Sequence, residues 1–600
     1  MKRIWLMAAA AATAPTALHA DEGTAAAATA ASSVPARVIA RAADRLPALL
    51  TPAERERYSA AYRAIDEQRW AEAQALLDGA PGGLLTLAAK AELYTAAGSP
   101  RVELPQLMEV LSGAPQLPQA QQLARLAASR GGTAMPALPG EHRLTWLGSA
   151  PIRARATPQR LDAAGTALMT AINPLIVDNR PADAEALVTA ATGTVTPEAM
   201  TEARQRVAWS YYITGDDLNA RRVASGAVSG IGRGEWAVQA DWVLGLAAWR
   251  QNDWTAAANA FTAVSRAGED AEMRAAGHYW AARADMAGGR PQQVEPRLRV
   301  AAQSPETFYG LIAAQALGMT QLAVDRALEF GQADRARLES CINSRIAIAL
   351  VEIGQDRRAG AVLQHQARIG ASAEHASLLR LARQLDLAET QLWLAHNGPQ
   401  GARPALAARY PAPAWTPEGG WRVDRSLVYA HALQESRFRT DVTSPAGAQG
   451  LLQVRPGTAG DIARARGRTI APAQLFVPAT NMEYGQSYIE RLRDMRATGG
   501  LLPKVIAAYN AGPAPVETWN TRNFDRGDPL LYIESLPYWE TRGYVPIVLR
   551  NYWMYQRQAG EASGSLKAIA EGAWPRFPGS PGAQSVRLNQ GGPARMASAD

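Results

Sequence analysis

Cysteine and long apolar runs are scarce in this sequence. Cys341 is the only cysteine among 600 residues, so an internal disulfide and a multi-cysteine metal cluster are both excluded. We expect its thiol to be buried as a small apolar group. Beyond the N-terminus no apolar run approaches the roughly 20 residues that a membrane-spanning helix needs. The sequence therefore predicts a protein that does not span a membrane.

Phenylalanine is also rare, with 7 residues against 16 tryptophans, whereas alanine is abundant. Apolar residues make up 47% and charged residues 20% of the chain, which is a globular composition favouring helices with small packing residues. A length of 600 residues predicts two to four domains.

The first twenty residues have the pattern of a secretory signal peptide. Lys2 and Arg3 precede an apolar run from Ile4 to about Leu18, and small residues follow. We therefore assign 1–20 as a signal peptide and expect export. The formal charge of +7 suits an anionic partner, and export makes nucleic acid the least suitable of the anionic candidates.

Pairs of helices recur along the first two thirds of the chain. The segments 61–80, 209–228, 245–264 and 348–367 each show an apolar helix end, a short polar turn and a second helix with Ala and Leu or Phe on one face. Such units bury their apolar faces by stacking into a superhelix. Trp70 and Trp254 begin the second helix in two of them, and we interpret both as wedges between helices.

Changes in composition and in helical periodicity divide the chain further. We predict a mainly α protein in which an α-superhelical N-terminal domain is followed by an α+β catalytic domain. Proline and glycine interrupt helix repeatedly over 396–420, where we place the main boundary, and periodicity is lost near the C-terminus. The predicted divisions are a flexible lead (21–36), a superhelix domain (37–335), a helical linker domain (336–410), a catalytic domain (411–560) and a disordered tail (561–600).

Glu435 is the first candidate for chemistry. In "VDRSLVYAHALQESRF", Asp424 can cap a helix whose apolar stripe runs through Leu427, Val428 and His431 to Glu435. Burial would raise the pKa of a carboxyl group and keep it protonated near neutral pH, as a general acid requires. The alternative from spacing alone is an ion pair between Glu435 and Arg437 or Arg439.

Neutral polar groups follow in later segments. The loop "TSPAGAQGLLQVRP" supplies Ser444 and Gln453 beside turn-forming glycines, and "AAYNAGP" places Tyr509 and Asn510 at a helix end. Hydroxyl and amide groups are suited to sugar hydroxyls and acetamido groups. Asp441 lies in a polar turn, where a solvated carboxylate is the ordinary interpretation.

The ordered motifs "QES", "SPAGAQGLLQVRPGTA", "NMEYGQSYI", "AAYNAGP" and "LPYWETRGYV" resemble the catalytic domain of the soluble lytic murein transglycosylases. The resemblance implies a lysozyme-like catalytic fold over about 140 residues. "GHYWAARADMAGG" and "SPETFYGLIAAQALG" resemble the same family's helical superhelix. Leu452 and Arg455 depart from the family pattern, which has Met and often an apolar residue there. If Arg455 faces the substrate, the peptide-stem carboxylates are its natural target.

The resemblance also implies an activity and its residues. Glu435 matches the family's catalytic acid, Ser444 lies near it, and Gln453, Tyr509 and Asn510 belong to motifs that bind the glycan strand. Glu540 matches a carboxylate of the last motif and is grouped with the substrate-binding residues. The implied reaction cleaves the MurNAc-β-1,4-GlcNAc bond of peptidoglycan without water and leaves 1,6-anhydro-MurNAc ends. No cofactor and no metal are expected, and the implied location is the periplasm.

Two other functions remain open from the sequence. A lysozyme-type hydrolase on the same fold would share Glu435 but add water to the sugar, whereas a non-catalytic peptidoglycan-binding scaffold would rely on the superhelix alone. Protein partners are not indicated by any motif.

Overall fold

Helices connected by short turns make up nearly all of the architecture. The computed structural model describes residues 46–79, 82–159, 162–229, 234–319, 328–522 and 525–588. The predicted signal peptide (1–20) and lead (21–36) lie outside these described residues.

The first two groups of helices precede and follow an extended segment. The N-terminal group comprises α1 (Pro52–Asp66), α2 (Trp70–Asp78), α3 (Thr86–Thr95), α4 (Leu104–Gly113) and α5 (Ala120–Ser129). The second group comprises α6 (Ala163–Val177), α7 (Pro181–Ala190), α8 (Pro197–Thr214), α9 (Asp217–Val228), α10 (Glu235–Arg250), α11 (Trp254–Ala267), α12 (Ala271–Ala287), α13 (Val294–Ala302) and α14 (Phe308–Ala316).

Two further groups complete the described helices. The third comprises α15 (Gln332–Leu338), α16 (Ile342–Glu352), α17 (Asp356–Ile369), α18 (His375–Gln384) and α19 (Ala388–His396). The fourth comprises α20 (Arg425–Glu435), α21 (Pro456–Ala465), α22 (Pro478–Arg493), α23 (Leu502–Ala511), α24 (Pro513–Asn520), α25 (Pro529–Glu534), α26 (Trp539–Ala559) and α27 (Gly564–Ala570). Short 3-10 helices lie at Pro291–Gln293, Ser372–Glu374, Leu406–Arg409 and Pro472–Phe476.

Strands in the described part of the chain form two small antiparallel pairs. In the first, β1 (Thr145–Trp146) pairs with β2 (Asn397–Gly398), with Thr145 opposite Gly398. In the second, β3 (Trp574–Pro575) pairs with β4 (Ser585–Val586).

The turn between α10 and α11 shows why the sequence forms helix pairs. Asn252 has a φ of 59°, which reverses the chain after α10. The Asp253 side chain accepts a 3.0 Å hydrogen bond from the Ala256 amide and so caps α11. Trp254 then packs edge-on against Trp249, with ring centroids 4.9 Å apart. The interpretation of Trp254 as a wedge between helices is confirmed.

Buried apolar residues form two separate cores. One, here called the N-terminal core, draws its members from 50–127 and 328–408. The other, the C-terminal core, joins 168–313 and Ala388 to the chain from Tyr410 to Phe577. The predicted superhelix unit of residues 37–335 is therefore divided between the two cores. Cys341 is buried in the N-terminal core, as expected.

An extended stretch of residues 130–159, here called the crossing segment, connects the two cores. The Leu147 amide donates to the His396 carbonyl at 2.8 Å, which holds the segment on α19. Farther along, the Arg153 guanidinium binds both carboxylate oxygens of Glu534, at 2.7 and 2.9 Å. The segment is thus attached to helices from both cores.

The expectation of a disordered tail at 561–600 is wrong for 561–588. These residues form α27, β3 and β4, and Trp574 and Phe577 are buried in the C-terminal core. The Phe577 amide donates to the Gly500 carbonyl at 2.8 Å. A few widely spaced apolar side chains suffice because α27 packs on α14. Residues 589–600 lie outside the described part.

No helix among the described residues is both long enough and apolar enough to cross a lipid bilayer.

Candidate active site

Glu435 is the last residue of α20, and both ends of this helix are fixed by local structure. Asp424 caps the N-terminus, where its carboxylate accepts a 2.8 Å hydrogen bond from the Ser426 amide. After Glu435 the chain turns through Arg437 and Phe438, with φ of 54° and 62°, and the buried Phe438 ring anchors the turn. A left-handed turn ends the helix, so the partly buried Glu435 carboxyl is held at a defined helix end.

Tyr544 contacts this carboxyl group directly. Its phenol, on α26, donates a 2.6 Å hydrogen bond to Oε1 of Glu435. Tyr544 is buried, because α26 packs along α20. Among the described side chains, no hydrogen bond engages Oε2 of Glu435. An oxygen without such a bond can still accept a hydrogen bond or carry the proton of the carboxyl group. The phenol therefore orients the carboxyl group through only one of its two oxygens.

The environment of Glu435 favours its protonated form. Burial is the main cause that raises its pKa to about 7, the hydrogen bond from Tyr544 acts in the opposite direction, and the charge of Glu540 raises it further. A carboxyl group with a pKa near the operating pH can both donate and accept a proton. The alternative ion pair is not formed, because no salt bridge between described residues includes Glu435, and Arg439 instead donates to the Ser436 carbonyl at 3.1 Å.

His431 lies one helical turn before Glu435 and supports two tyrosines. Its ring centroid is 4.7 Å from that of Tyr509 and 6.2 Å from that of Tyr544. Its Nδ1 lies 2.9 Å from the Leu427 carbonyl, which assigns the proton to Nδ1 because a carbonyl only accepts. Burial lowers the pKa of His431 to about 4, so the ring is neutral at physiological pH and adds no charge beside Glu435.

The loop after α20 is organised by Asn481. This fully buried amide accepts from the Leu452 amide at 2.8 Å and donates to the carbonyls of Gln449 and Leu475 at 2.9 and 2.7 Å. From the other side, the Tyr509 phenol donates to the Leu452 carbonyl at 2.6 Å. Both peptide groups of Leu452 are thereby fixed, and Tyr509 connects the loop to α23.

Ser444 and Gln453, the two predicted polar contacts of this loop, both bond within it. Ser444 Oγ accepts a 3.0 Å hydrogen bond from the Ala448 amide. Gln453 has a φ of 47°, and its side-chain amide donates to the Gly450 carbonyl at 2.8 Å. Both side chains stay partly exposed. A residue that shapes a loop can still present its remaining polar atoms to a ligand.

Asn510 and Glu540 meet where α23 ends and α26 begins. The Asn510 side-chain amide donates to Glu540 Oε1 at 3.3 Å, and its carbonyl oxygen accepts from Thr541 Oγ1 at 2.6 Å. Glu540 itself is exposed. The pKa of the buried Tyr544 is raised well above its usual range by burial, with contributions from the charges of Glu435 and Glu540. Three of the candidate residues, Glu435, Tyr509 and Glu540, therefore lie close enough to Tyr544 to act on its pKa, and Asn510 bonds to Glu540.

Two other charged candidates lie at the edge of this region. Asp441 is exposed and pairs with Arg357 of α17 at 3.3 Å, in keeping with a solvated turn residue. Arg455 is exposed at the start of α21. Within the described ranges, no group of three or more His, Cys, Asp or Glu side chains could hold a metal ion.

Comparison with known proteins identifies this part of the chain. The family model described as "Transglycosylase SLT domain" matches residues 416–531. Residues 416–531 are similar to that family and are here called the SLT domain after this match. The matched range of the SLT domain contains Glu435, Ser444, Gln453, Tyr509 and Asn510, whereas Glu540 and Tyr544 follow it.

Curated relatives extend the similarity upstream of the SLT domain. The soluble lytic murein transglycosylase of Escherichia coli strain K12 is 28% identical over 330 residues, covering 52% of this chain and 48% of the relative. The protein of the same name from Salmonella typhimurium is 35% identical over 163 residues, covering 26% and 24%. The chain thus spans about half the length of the first of these relatives. The predicted family resemblance is confirmed.

Solved structures confirm the predicted fold class. The 70 kDa soluble lytic transglycosylase of Escherichia coli superposes with a TM-score of 0.53 at 18% identity, covering 87% of this chain and 99% of that one. An inactive mutant of the Pseudomonas aeruginosa lytic transglycosylase Slt gives 0.50 at 18% identity, covering 84% and 86%. At this identity the likeness concerns the fold alone: helical superhelix followed by a lysozyme-like SLT domain.

Sequence reasoning missed two residues that shape the SLT domain site. Tyr544 lies 109 positions from Glu435, and only its place one turn after Glu540 on the same helix could have indicated it. Asn481 begins the motif "NMEYGQSYI", but the motif alone does not indicate that its side chain organises the loop. Its complete burial with three hydrogen bonds depends on the folded loop.

Proposed function

We propose that this protein is a peptidoglycan lytic transglycosylase in which Glu435 acts first as the general acid and then as the general base. The observation that carries the proposal is the Glu435 carboxyl, with a pKa of about 7, held through Oε1 by Tyr544. The SLT domain match and the lytic murein transglycosylases among the relatives support the same conclusion.

The reaction needs only one protein carboxyl group. Protonated Glu435 gives its proton to the glycosidic oxygen between N-acetylmuramic acid and N-acetylglucosamine, and the bond from that oxygen to C1 breaks. The acetamido group of the muramic acid shields the developing cation at C1. The Glu435 carboxylate then takes the proton of the C6 hydroxyl, whose oxygen bonds to C1 and closes the 1,6-anhydro ring. Protons balance, and no water is consumed.

The surroundings of Glu435 suit both halves of this cycle. Burial keeps the carboxyl protonated for the first half, whereas the Tyr544 hydrogen bond stabilises the carboxylate for the second. Intramolecular attack by C6 gains a large effective concentration. Glu540, the acidic side chain whose charge acts on Glu435, accepts a hydrogen bond from Asn510, and the exposed Asp441 pairs with Arg357.

The proposed substrate contacts follow the residues around the site. Ser444 and Gln453 lie in the loop after α20. Tyr509 and Asn510 lie on α23, and Glu540 lies on α26. We propose that these residues bind the glycan strand. We also propose export to the periplasm through 1–20, which N-terminal sequencing of the protein from osmotic-shock fluid tests.

Mass spectrometry of products from purified peptidoglycan sacculi tests the activity. We expect anhydro-muropeptides, one water lighter than reducing ends, and a rate loss of about 10³-fold for Glu435→Gln. Glu517→Gln, at an exposed position of the same domain, is the matched control and should keep full activity. Reducing ends would indicate a hydrolase, and undiminished activity of Glu435→Gln would remove Glu435 from the mechanism.

A further inference from the structure

The crossing segment carries an exposed aromatic pair that the proposed chemistry does not use. Trp146 is 58% exposed, although tryptophan is a large side chain that is highly buried on average. Its ring lies nearly parallel to the imidazole of His396, with centroids 4.8 Å apart and an interplanar angle of 18°. One face of the indole is therefore covered by His396, which leaves the opposite face to supply the exposed area.

The pair is held rigidly by backbone contacts. β1 and β2 place Trp146 opposite Asn397, and the Leu147 amide donates to the His396 carbonyl at 2.8 Å. The imidazole Nδ1 lies 2.7 Å from the Gly148 carbonyl, so it carries the proton and donates. A ring fixed before binding loses little conformational freedom when a ligand packs on it.

Two connections place this pair near the surroundings of Glu435. The pKa of His396 is lowered mainly by burial, and the positive charges of Arg409 and Arg437 lower it further. The guanidinium of Arg437 thus acts on His396, and Arg437 is two positions after Glu435 in the chain. Arg550 of α26 donates to the Pro151 carbonyl of the crossing segment, and α26 also carries Tyr544.

We propose that Trp146, backed by His396, is a stacking platform for a sugar ring of the peptidoglycan strand, separate from the residues that surround Glu435. Arg437, which is exposed, supplies positive charge for the carboxylates that such a strand carries. This inference rests on the proposed function, because it names a second subsite for the same substrate.

The chemistry of the pair favours a carbohydrate over a protein partner. The flat indole face packs against the C–H face of a pyranose ring, and aromatic packing of this kind is worth about three- to tenfold in affinity. In the crossing segment, all of which the structure describes, the other exposed large apolar side chain is that of Ile152, at 55% exposure. A single ring with nearby cations offers little apolar area for a stable protein interface.

Binding measurements in the Glu435→Gln background test the platform without turnover. The ligands are soluble, uncrosslinked glycan strands and, as the short probe, a GlcNAc–MurNAc tetrasaccharide. Trp146→Ala should weaken binding of the long strands about three- to tenfold and leave the tetrasaccharide unchanged, whereas Trp146→Phe should keep most of the affinity. Ile152→Ala, at a similarly exposed position, is the control and should bind both ligands normally.

Two outcomes would overturn the platform. If Trp146→Ala bound the long strands as tightly as the protein that keeps Trp146, the platform would have no part in binding them. If Trp146→Ala lost the same affinity for the long strands and the tetrasaccharide, Trp146 would have a structural role instead. Turnover of the otherwise unaltered protein separates this result from the proposed function. If that protein releases anhydro-muropeptides while Trp146→Ala binds long strands normally, only the platform fails; if it releases none, the proposed activity fails whatever Trp146 does.

Discussion

The Tyr544 phenol lies 2.6 Å from Oε1 of Glu435 and is its hydrogen-bond donor. The two residues come from helices that pack along each other, so the bond fixes the end of α20 to α26. A phenol is a weaker partner than an arginine would be, because an ion pair would hold the carboxyl permanently ionised. The contact thus orients Glu435 and still permits it to carry a proton.

Tyr544→Phe should raise the pKa of Glu435, because the lost hydrogen bond is a cause that lowers it. Activity that needs protonated Glu435 falls as pH rises through that pKa, so its alkaline limb should move to higher pH. The rate at the optimum should drop about tenfold, which corresponds to one hydrogen bond to a charged group. The pH–rate profile of anhydro-muropeptide release measures both effects.

Tyr555→Phe is the matched control for this change. Tyr555 is a buried tyrosine on α26 whose hydroxyl has no hydrogen-bond partner among the described residues. Its variant should keep the pH profile of the unaltered protein. An unmoved alkaline limb in Tyr544→Phe would contradict the role given to Tyr544.

Glu435→Gln should stabilise the fold at neutral and alkaline pH. The folded pKa of about 7 lies above the ordinary value of 4.5, so between these pH values the folded state binds more protons than the unfolded state. Stability conferred by that proton falls as pH rises through this window, whereas glutamine stays neutral. We expect a gain on the order of 2 kcal/mol at pH 8 and almost none at pH 4. Thermal unfolding at both pH values checks this, and equal gains at both would contradict it.

Gly450 and Gly447 form a natural pair for testing the loop. Both have positive φ, of 70° and 77°. A Cβ at Gly450 would lie 2.2 Å from the Leu475 carbonyl oxygen, whereas at Gly447 it would meet no atom within 4 Å. Gly447→Ala therefore carries only backbone strain of about 1 kcal/mol, and Gly450→Ala adds a clash that displaces the loop. Activity and melting temperature should both fall more for Gly450→Ala, and equal effects would contradict this geometry.

The Arg153–Glu534 pair should contribute strongly to the junction between the crossing segment and α25. Glu534 is 1% exposed and also accepts a 2.6 Å hydrogen bond from Tyr309. Glu534→Gln leaves the Arg153 charge without its buried partner, which typically costs about 3–5 kcal/mol. Urea unfolding should register this loss, and the double variant Arg153→Met with Glu534→Leu should recover part of it. A loss below about 1 kcal/mol in the single variant would show that the pair is dispensable.

The local features of the SLT domain could be predicted because they depend on neighbours in the chain. The Asp424 cap and the helix ending at Glu435 follow from spacing alone. Tyr544 could not be predicted in the same way, because its contact with Glu435 requires α20 to pack on α26. The internal hydrogen bonds of Ser444 and Gln453 likewise depend on the loop conformation, and their substrate contacts stay predictions.

The division into two cores was beyond sequence reasoning for a similar reason. Helix periodicity identifies an apolar face but not the face that covers it. The predicted boundary at 335/336 treats neighbours in sequence as neighbours in space, whereas α1–α5 share their core with α15–α19. The tail at 561–588 was misjudged because its few apolar residues gain their stability from α14 and Gly500.

The shared N-terminal core imposes an order on folding. Helices α1–α5 are synthesised first, yet the apolar surface that completes their core arrives only with α15–α19. Contacts between segments so far apart form slowly, and uncovered apolar faces favour aggregation until they close. The earliest part of the chain to be made is therefore among the last to be completed, and a fragment ending before α15 should need a chaperone to stay in solution.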